Sequence, residues 1–181
     1  MRKILLLFMA VVMMISVSAC GKDEKSDKKE TTSTNSEEAV SVDVNEILMS
    51  MRETQISFPQ YTTASSHDEN GKEIDSWQDV FSLSLYEDFD VKKVKSYAIA
   101  YSVAQTADEI TVVELESKSD ADELKKQMKK RISDRITLFE TYGPEEVVKL
   151  EDAKIISKGN VCVLIVCDEP EKASDAFKDA F

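Results

Sequence analysis

The chain has 181 residues, of which 35 are acidic and 23 basic, and a formal net charge of −12. This length suits one folded domain, and a hydrophobic share of 42% is enough to build a core. The acidity argues against nucleic acid as a partner, because phosphate binding requires a basic surface. With one histidine and three cysteines, the chain offers few ligands for a transition metal, so we expect no metal and no cofactor.

The first residues are typical of a secretory leader. Arg2 and Lys3 precede an uninterrupted apolar run from Ile4 to Ile15. As a helix rising about 1.5 Å per residue, this run spans roughly 18 Å, well short of the ~30 Å hydrocarbon core of a membrane. The pattern therefore favours a cleaved signal peptide over residues 1–19 rather than a membrane-spanning helix.

The leader ends in Val17-Ser18-Ala19-Cys20, which is similar to the lipobox of bacterial lipoproteins. This resemblance implies cleavage between Ala19 and Cys20 and attachment of lipid to the Cys20 sulfur. Two or more acyl chains, at about 0.8 kcal/mol per buried CH₂, anchor a protein stably. We therefore predict a lipid-anchored protein on the extracytoplasmic face of the cell membrane. The alternative is an ordinary cleaved leader that leaves Cys20 as a free thiol.

Residues 20–41 are predicted to form a disordered tether behind the lipid. They are charged from Lys22 to Glu30 and rich in Thr and Ser from Thr31 to Ser36, with too few apolar residues to offset the entropy of ordering. Loss of the leader leaves 21 basic against 35 acidic residues, a net charge of −14. Anionic headgroups repel such a protein, so the lipid alone should hold it at the membrane.

Residues 42–181 are predicted to form one domain. Asp43 can cap a helix over residues 44–53, and residues 60–75 are a polar loop. In residues 77–86 the spacing of the apolar residues fits a helix in part and a strand in part, and it weakly favours a helix.

Two strands are expected next, over residues 97–104 and 109–116. The first alternates strictly between a bulky face and a small face. Its small residues would let a helix approach the sheet closely. The bulky positions are Tyr97, Ile99, Tyr101 and Val103, and the small ones are Ala98, Ala100, Ser102 and Ala104.

The C-terminal part begins with the most regular element, a helix over residues 120–142 that should end with Gly143 in a left-handed conformation. Strands over 153–157 and 161–167 flank a three-residue turn and predict a hairpin. The second of these strands is apolar on both faces, which predicts a central place in the sheet. Pro170 opens a last helix. Its inward residues should be Ala173, Phe177 and Phe181.

The order of these elements predicts an α+β fold. It contains an antiparallel sheet of about four strands, with helices packed mainly on one face. The N-terminal helices are a candidate cover for the second face of the central strand.

From Val80 onward the chain resembles the domain of unknown function 4358 family of bacterial lipoproteins. The residues that carry the resemblance are Ala107-Asp108-Glu109-Ile110, Lys130-Arg131-Ile132, Phe139-Glu140-Thr141-Tyr142-Gly143-Pro144 and Lys158-Gly159-Asn160. Each motif is weak by itself, whereas their order and spacing together are more specific. The resemblance implies an envelope location and this fold, and it implies no known activity.

Few residues point to chemistry. His67, the only histidine, lies in a polar loop. A calcium-binding loop centred on Gly71 would have Ser66 in its first position and Trp77 in its twelfth, so both required acids are missing. Cys162 and Cys167 are five residues apart on one strand, with Cα atoms about 16 Å apart, too far for a disulfide. We expect both to be buried thiols.

The long helix carries basic residues that could contact an anion or a partner. They are Lys126, Lys130, Arg131 and Arg135. The alternative is a solvated helix face on which Arg135 pairs with one of the many carboxylates.

We therefore expect a non-catalytic binding or interaction module of the cell envelope. Its partners would be the membrane, through the lipid, and an unidentified envelope protein or polymer. A small-ligand or cation-binding lipoprotein is the alternative, although the domain is short for a two-lobed receptor. An envelope enzyme is a third possibility, but no nucleophile or carboxylate pair stands out.

Overall fold

The fold is organised around a five-stranded sheet that is antiparallel throughout, with the order β1-β2-β3-β5-β4. The computed structural model describes residues 42–55, 57–58 and 60–181. The predicted leader, the predicted lipid attachment site Cys20 and the predicted tether lie outside these residues. The strands are β1 Tyr61–Ser65, β2 Val94–Ser102, β3 Glu109–Leu115, β4 Lys154–Lys158 and β5 Val161–Val166.

Five α-helices accompany the sheet within the described part of the chain. None of the helices described is both long and apolar enough to cross a membrane. The helices are α1 Val44–Glu53, α2 Trp77–Val80, α3 Ala121–Tyr142, α4 Val147–Glu151 and α5 Pro170–Asp179. A π-helical turn, Phe81–Leu85, continues directly from α2.

Helix α1 has the predicted bounds and the predicted cap. The Asp43 carboxylate accepts hydrogen bonds from the backbone N–H groups of Asn45 at 2.9 Å and Glu46 at 3.2 Å. These bonds satisfy two of the N–H groups that a helix start leaves unpaired. The side chains that α1 buries are Val44, Ile47, Leu48 and Met51.

Strand β2 uses its two faces as the alternation predicts. Ala98 and Ala100 lie in the apolar cluster that includes α1 and α5. Tyr97 and Ile99 lie in the cluster on the opposite face, where the Tyr97 ring packs against Phe81 with centroids 5.3 Å apart. Small side chains on one face therefore receive a helix, and large ones fill an aromatic core on the other.

The α+β class and the antiparallel sheet are confirmed, and three details are corrected. The sheet has five strands rather than about four, because β1 forms inside the predicted polar loop. Helices cover both faces rather than mainly one: α3 lies over one face, and α1, an N-terminal helix as the sequence suggested for this face, lies with α5 over the other. The apolar strand β5 is internal, but the middle position belongs to β3.

Two further expectations near the C-terminus are wrong. Gly143 has a φ of −170°, which is extended rather than left-handed. A glycine fits here for a different reason: the Phe139 ring approaches the backbone closely, and a Cβ at this position would lie 3.2 Å from Cδ1 of Phe139. Phe181 is 46% exposed, although its ring contacts that of Phe177. Phe181 lies beyond the end of α5, so the helix does not hold its side chain against the sheet.

Candidate functional site

The most unusual feature of the core is a buried carboxylate shared by two arginines. Glu109 opens β3 on the face that α3 covers, and its side chain is fully buried. Arg131 donates from Nε to Oε1 and from Nη2 to Oε2, both at 2.8 Å, and Arg135 donates from Nη1 to Oε2 at 2.8 Å. Because residues four apart on a helix are neighbours, both guanidinium groups reach the same carboxylate.

Further hydrogen bonds complete this arrangement, which we call the Glu109 cluster. The Thr111 hydroxyl donates to Glu109 Oε1 at 3.0 Å. Arg131 Nη1 donates to the carbonyl of Ser84 at 3.2 Å, and Arg135 Nη2 to that of Ala107 at 3.1 Å. Burial alone would raise the pKa of Glu109, but the charges of Arg131 and Arg135 outweigh it and hold the pKa below its usual value. The carboxylate is therefore ionised inside the core.

A second ionic cluster lies beside the first. Lys149 Nζ is 3.1 Å from both carboxylate oxygens of buried Asp108, 3.0 Å from Glu146 Oε2 and 3.2 Å from Asp168 Oδ1. Burial would lower the pKa of Lys149, but hydrogen bonds to Glu146 and Asp108 raise it above its usual value. Glu146 also accepts from the backbone N–H of Ala107 at 2.8 Å. The two clusters together tie α3 and α4 to the start of β3.

The four basic residues predicted as a contact site divide into two pairs. Arg131 and Arg135 point inward and bind Glu109, as the alternative interpretation of Arg135 expected. Lys126 is exposed on the outward side of α3. Lys130 Nζ lies 3.2 Å from Asp134 and 3.8 Å from Asp88, both exposed. Contact of Lys126 and Lys130 with an outside partner stays a prediction.

A groove of about 190 Å³ separates the π-helical turn from α3. Tyr86 lines it and is 2% exposed. The Tyr86 hydroxyl has no hydrogen-bond partner among the described residues. The Thr111 hydroxyl lies close enough to lower the pKa of Tyr86, and because its own proton goes to Glu109, its oxygen can act toward the phenol only as an acceptor. Burial nevertheless raises the pKa of Tyr86 well above its usual value, so the phenol keeps its proton.

Sequence reasoning singled out neither Tyr86 nor Glu109 as a site residue. A signal for Glu109 existed, since an acid at an inward position of the apolar strand β3 has to find a positive partner. No comparable signal existed for Tyr86. Its unsatisfied hydroxyl depends on how the π-helical turn packs against α3.

The other candidate residues, His67 and the two cysteines, make contacts within the fold. His67 Nδ1 is 2.9 Å from Ser66 Oγ, and its backbone forms a β-bridge with Glu73. Cys162 and Cys167 are free and buried, as predicted, and they lie on opposite faces of the sheet. Burial raises the pKa of Cys162 to about 11 and that of Cys167 to about 12, so both stay thiols. Among the described residues, no group of three or more acidic, His or Cys side chains could hold a metal ion.

Comparison with known proteins yields one match. The family model described as "Domain of unknown function (DUF4358)" matches residues 76–167. These residues include Tyr86, Glu109, both arginines and Lys149, so the match spans the groove, the Glu109 cluster and all of the second ionic cluster except Asp168. No curated protein and no solved structure matches the chain.

Proposed function

The chain belongs to the DUF4358 family, and from this premise we propose that it is a lipid-anchored, extracytoplasmic protein that acts as a non-catalytic binding module of the cell envelope. The leader and lipobox of the sequence support the anchor. The observation that carries the binding role is the arrangement of α3. Its inner side is held to the sheet by Arg131 and Arg135, while its outer side presents exposed lysines.

The outer lysines suit a polyanion. Lys126 and Lys130 are neighbours one turn apart on α3. The pairs that Lys130 makes with Asp134 and Asp88 are solvent-exposed. Exposed pairs contribute roughly 0–1 kcal/mol, so a polymer carrying many negative charges can displace them. The lysines form a local positive surface on a folded part that carries 17 basic against 29 acidic residues. An anionic wall polymer or an acidic envelope protein fits this surface.

Charge reversal of the two lysines tests the proposal. In the double variant Lys126→Glu/Lys130→Glu, we expect the affinity for an anionic wall polymer to fall at least tenfold at low salt, since each lysine near an anionic surface contributes about 1 kcal/mol. Binding by the unaltered chain should weaken as salt rises. Co-sedimentation with purified wall polymer at several salt concentrations measures both effects.

The matched control is Lys172→Glu/Lys178→Glu, which makes the same change in net charge on α5. This control should bind nearly as well as the unaltered chain. Equal losses in the two double variants would mean that only net charge matters. Insensitivity of binding to salt and to both double variants would contradict the proposed surface.

Lipid attachment is tested at Cys20. We expect Cys20→Ala to remain unprocessed or to be released from membranes, because no other residue can accept the lipid at that site. Cell fractionation followed by mass measurement of the N-terminus distinguishes these states. Ser18→Ala keeps a small residue in the lipobox and should be processed normally. Normal membrane retention of Cys20→Ala with the leader removed would contradict a lipid anchor.

A further inference from the structure

We propose that β1 pairs in antiparallel fashion with β1 of a second copy of this chain, which joins the two five-stranded sheets into one. This interface is separate from the exposed lysines of α3 and does not depend on the proposed function. β1 is the first strand in the sheet order and pairs with β2 along one edge. Its other edge has no partner strand among the described residues. A strand edge of this kind is a template for pairing with another chain.

The outer edge of β1 presents the backbone groups of three residues. Ser66 N–H donates to the carbonyl of Tyr97 in β2, and the carbonyl of Gln60 accepts from the residue that follows β2, both at 2.9 Å. Because the backbone groups of successive strand residues point to opposite edges, the even-numbered residues of β1 face β2 and the odd-numbered residues face outward. The outward residues are Tyr61, Thr63 and Ser65.

The outer edge of β1 lacks the features by which natural proteins prevent such pairing. Those features include lysine side chains, proline and β-bulges. β1 contains no charged residue, no proline and no glycine, and its register with β2 is continuous. The opposite edge of the sheet differs, because β4 begins with Lys154 and ends with Lys158. Of the two edges, β1 is therefore the one open to a second strand.

A twofold axis at Thr63 gives the fullest pairing. Identical surfaces of two copies meet about a twofold axis, and this symmetry makes two β1 strands antiparallel. With the axis at Thr63, the Tyr61 of each copy lies opposite the Ser65 of the other, and the two Thr63 residues face each other. All three outward residues of each strand then join the ladder. A shifted register leaves at least one of them without a partner within β1.

The charges beside β1 favour a second copy as the occupant of this edge. Arg52 Cζ lies 4.4 Å from the centroid of the Tyr61 ring at one end of β1, and Arg52 makes no ion pair with any described residue. Residues 66–76, which follow the other end of β1, include four acidic residues and one lysine. The twofold pairing brings the Arg52 of each copy toward the acidic segment of the other. The two ends of the interface are therefore complementary in charge.

Exposed side chains with large apolar parts lie beside this edge on both faces of the sheet. Met49 on α1 is 37% exposed, and it lies three residues before Arg52 and so on the same side of the helix. On the opposite face, Tyr101 is the neighbour of Thr62 in the β1–β2 ladder and is 39% exposed. A second copy that extends the sheet at β1 covers part of both side chains.

Sedimentation equilibrium of the detergent-solubilised full chain, in density-matched detergent, measures the oligomeric state. The buffer should contain moderate salt, which screens the repulsion between two acidic copies. Over a concentration series that reaches the high micromolar range, we expect the mass to rise from that of one chain to that of two. A chain that stays monomeric throughout the series would overturn the proposal.

Thr63→Pro tests the edge itself. It removes an N–H group that points away from β2, so β1 keeps its hydrogen bonds to β2. We expect this variant to fold and to dimerise about tenfold or more weakly, since each copy loses one hydrogen bond of the interface. Ser157→Pro makes the equivalent change on β4, at an exposed residue next to the Lys158–Val161 pair, and should dimerise normally. Normal dimerisation of a folded Thr63→Pro variant would exclude β1 as the interface.

Disulfide trapping tests the register and does not rely on the proline variant. Hydrogen-bonded residues directly opposite one another in an antiparallel ladder have Cα atoms about 5.5 Å apart, a distance that a disulfide can bridge. Thr63→Cys should therefore form a cross-linked dimer on mild oxidation, whereas Ser157→Cys and the unaltered chain should not. Cys162 and Cys167 are buried in all three proteins. If Thr63→Cys forms no more cross-linked dimer than these two controls, the proposed pairing is wrong.

Discussion

Replacing Glu109 by glutamine should lower the free energy of unfolding by about 3–5 kcal/mol, because it leaves two arginines in the core facing a neutral amide. The side chain of Glu109 is fully buried, and each arginine reaches it at 2.8 Å. Urea unfolding followed by circular dichroism measures the change. Glu116→Gln, the same substitution just beyond the end of β3 at an exposed position, should alter stability by about 0.5 kcal/mol or less.

A compensating triple variant separates the charge effect from a simple packing effect. Glu109→Leu combined with Arg131→Met and Arg135→Met replaces the ionic groups by apolar side chains. Replacing a whole buried ionic group in this way is often neutral or stabilising. We therefore expect the triple variant to recover most of the stability that Glu109→Gln loses. A triple variant no more stable than Glu109→Gln would show that the two arginines are not the source of the loss.

The pH dependence of the same substitution has a defined sign. The folded-state pKa of Glu109 lies below its ordinary value of 4.5, so the folded state binds its proton less readily than the unfolded state does. Its stabilising contribution is therefore complete above about pH 5 and is lost as the pH falls through the folded-state pKa. The stability difference between the unaltered chain and Glu109→Gln should shrink over that acid range. A difference independent of pH would contradict an ionised Glu109.

Val163→Asp should abolish cooperative folding, because it buries an unpaired charge among apolar side chains. Val163 lies on β5, completely buried on the face that α1 and α5 cover. A cost above about 4 kcal/mol is a large part of the 5–15 kcal/mol that stabilises a typical domain. Thermal melting followed by circular dichroism, together with the dispersion of amide NMR signals, reports the outcome.

The matched control for this substitution is Val148→Asp on α4, where the valine is 69% exposed. It adds the same charge without burying it, so it should change stability by about 0.5 kcal/mol or less. A cooperative melt of Val163→Asp close to that of the control would show that β5 does not form the core. Glu109 and Val163 face opposite sides of the sheet, so together the two substitutions test both halves of the core.

Local patterns in the sequence predicted much of the architecture. Helix α1 was predicted from its apolar spacing and from Asp43, and both signals lie within a few residues of each other. The alternation in β2 predicted which residues face which side, since successive strand side chains point to opposite faces. The turn between β4 and β5 was also predicted correctly, and Gly159 there has a φ of 61°.

Strand β1 was missed because its signal is weak. Residues Tyr61–Ser65 contain no strongly apolar run, and their side chains are only partly buried at the edge of the sheet. Their strand conformation comes from pairing with β2, about forty residues later in the chain. That pairing also explains why the number of strands was underestimated.

The sequence by itself determined the acidity and the class of the fold, because composition and short-range periodicity carry that information, and it predicts a leader with a lipobox. Only the tertiary structure decided what the basic residues of α3 do. Lys126, Lys130, Arg131 and Arg135 look alike as a run of positive charges, but the packing of α3 on the sheet turns the arginines toward Glu109 and the lysines outward. The groove at Tyr86 likewise depends on the contact between two elements separated in the chain. Such contacts are set by the packing of side chains across the core, which local sequence patterns do not record.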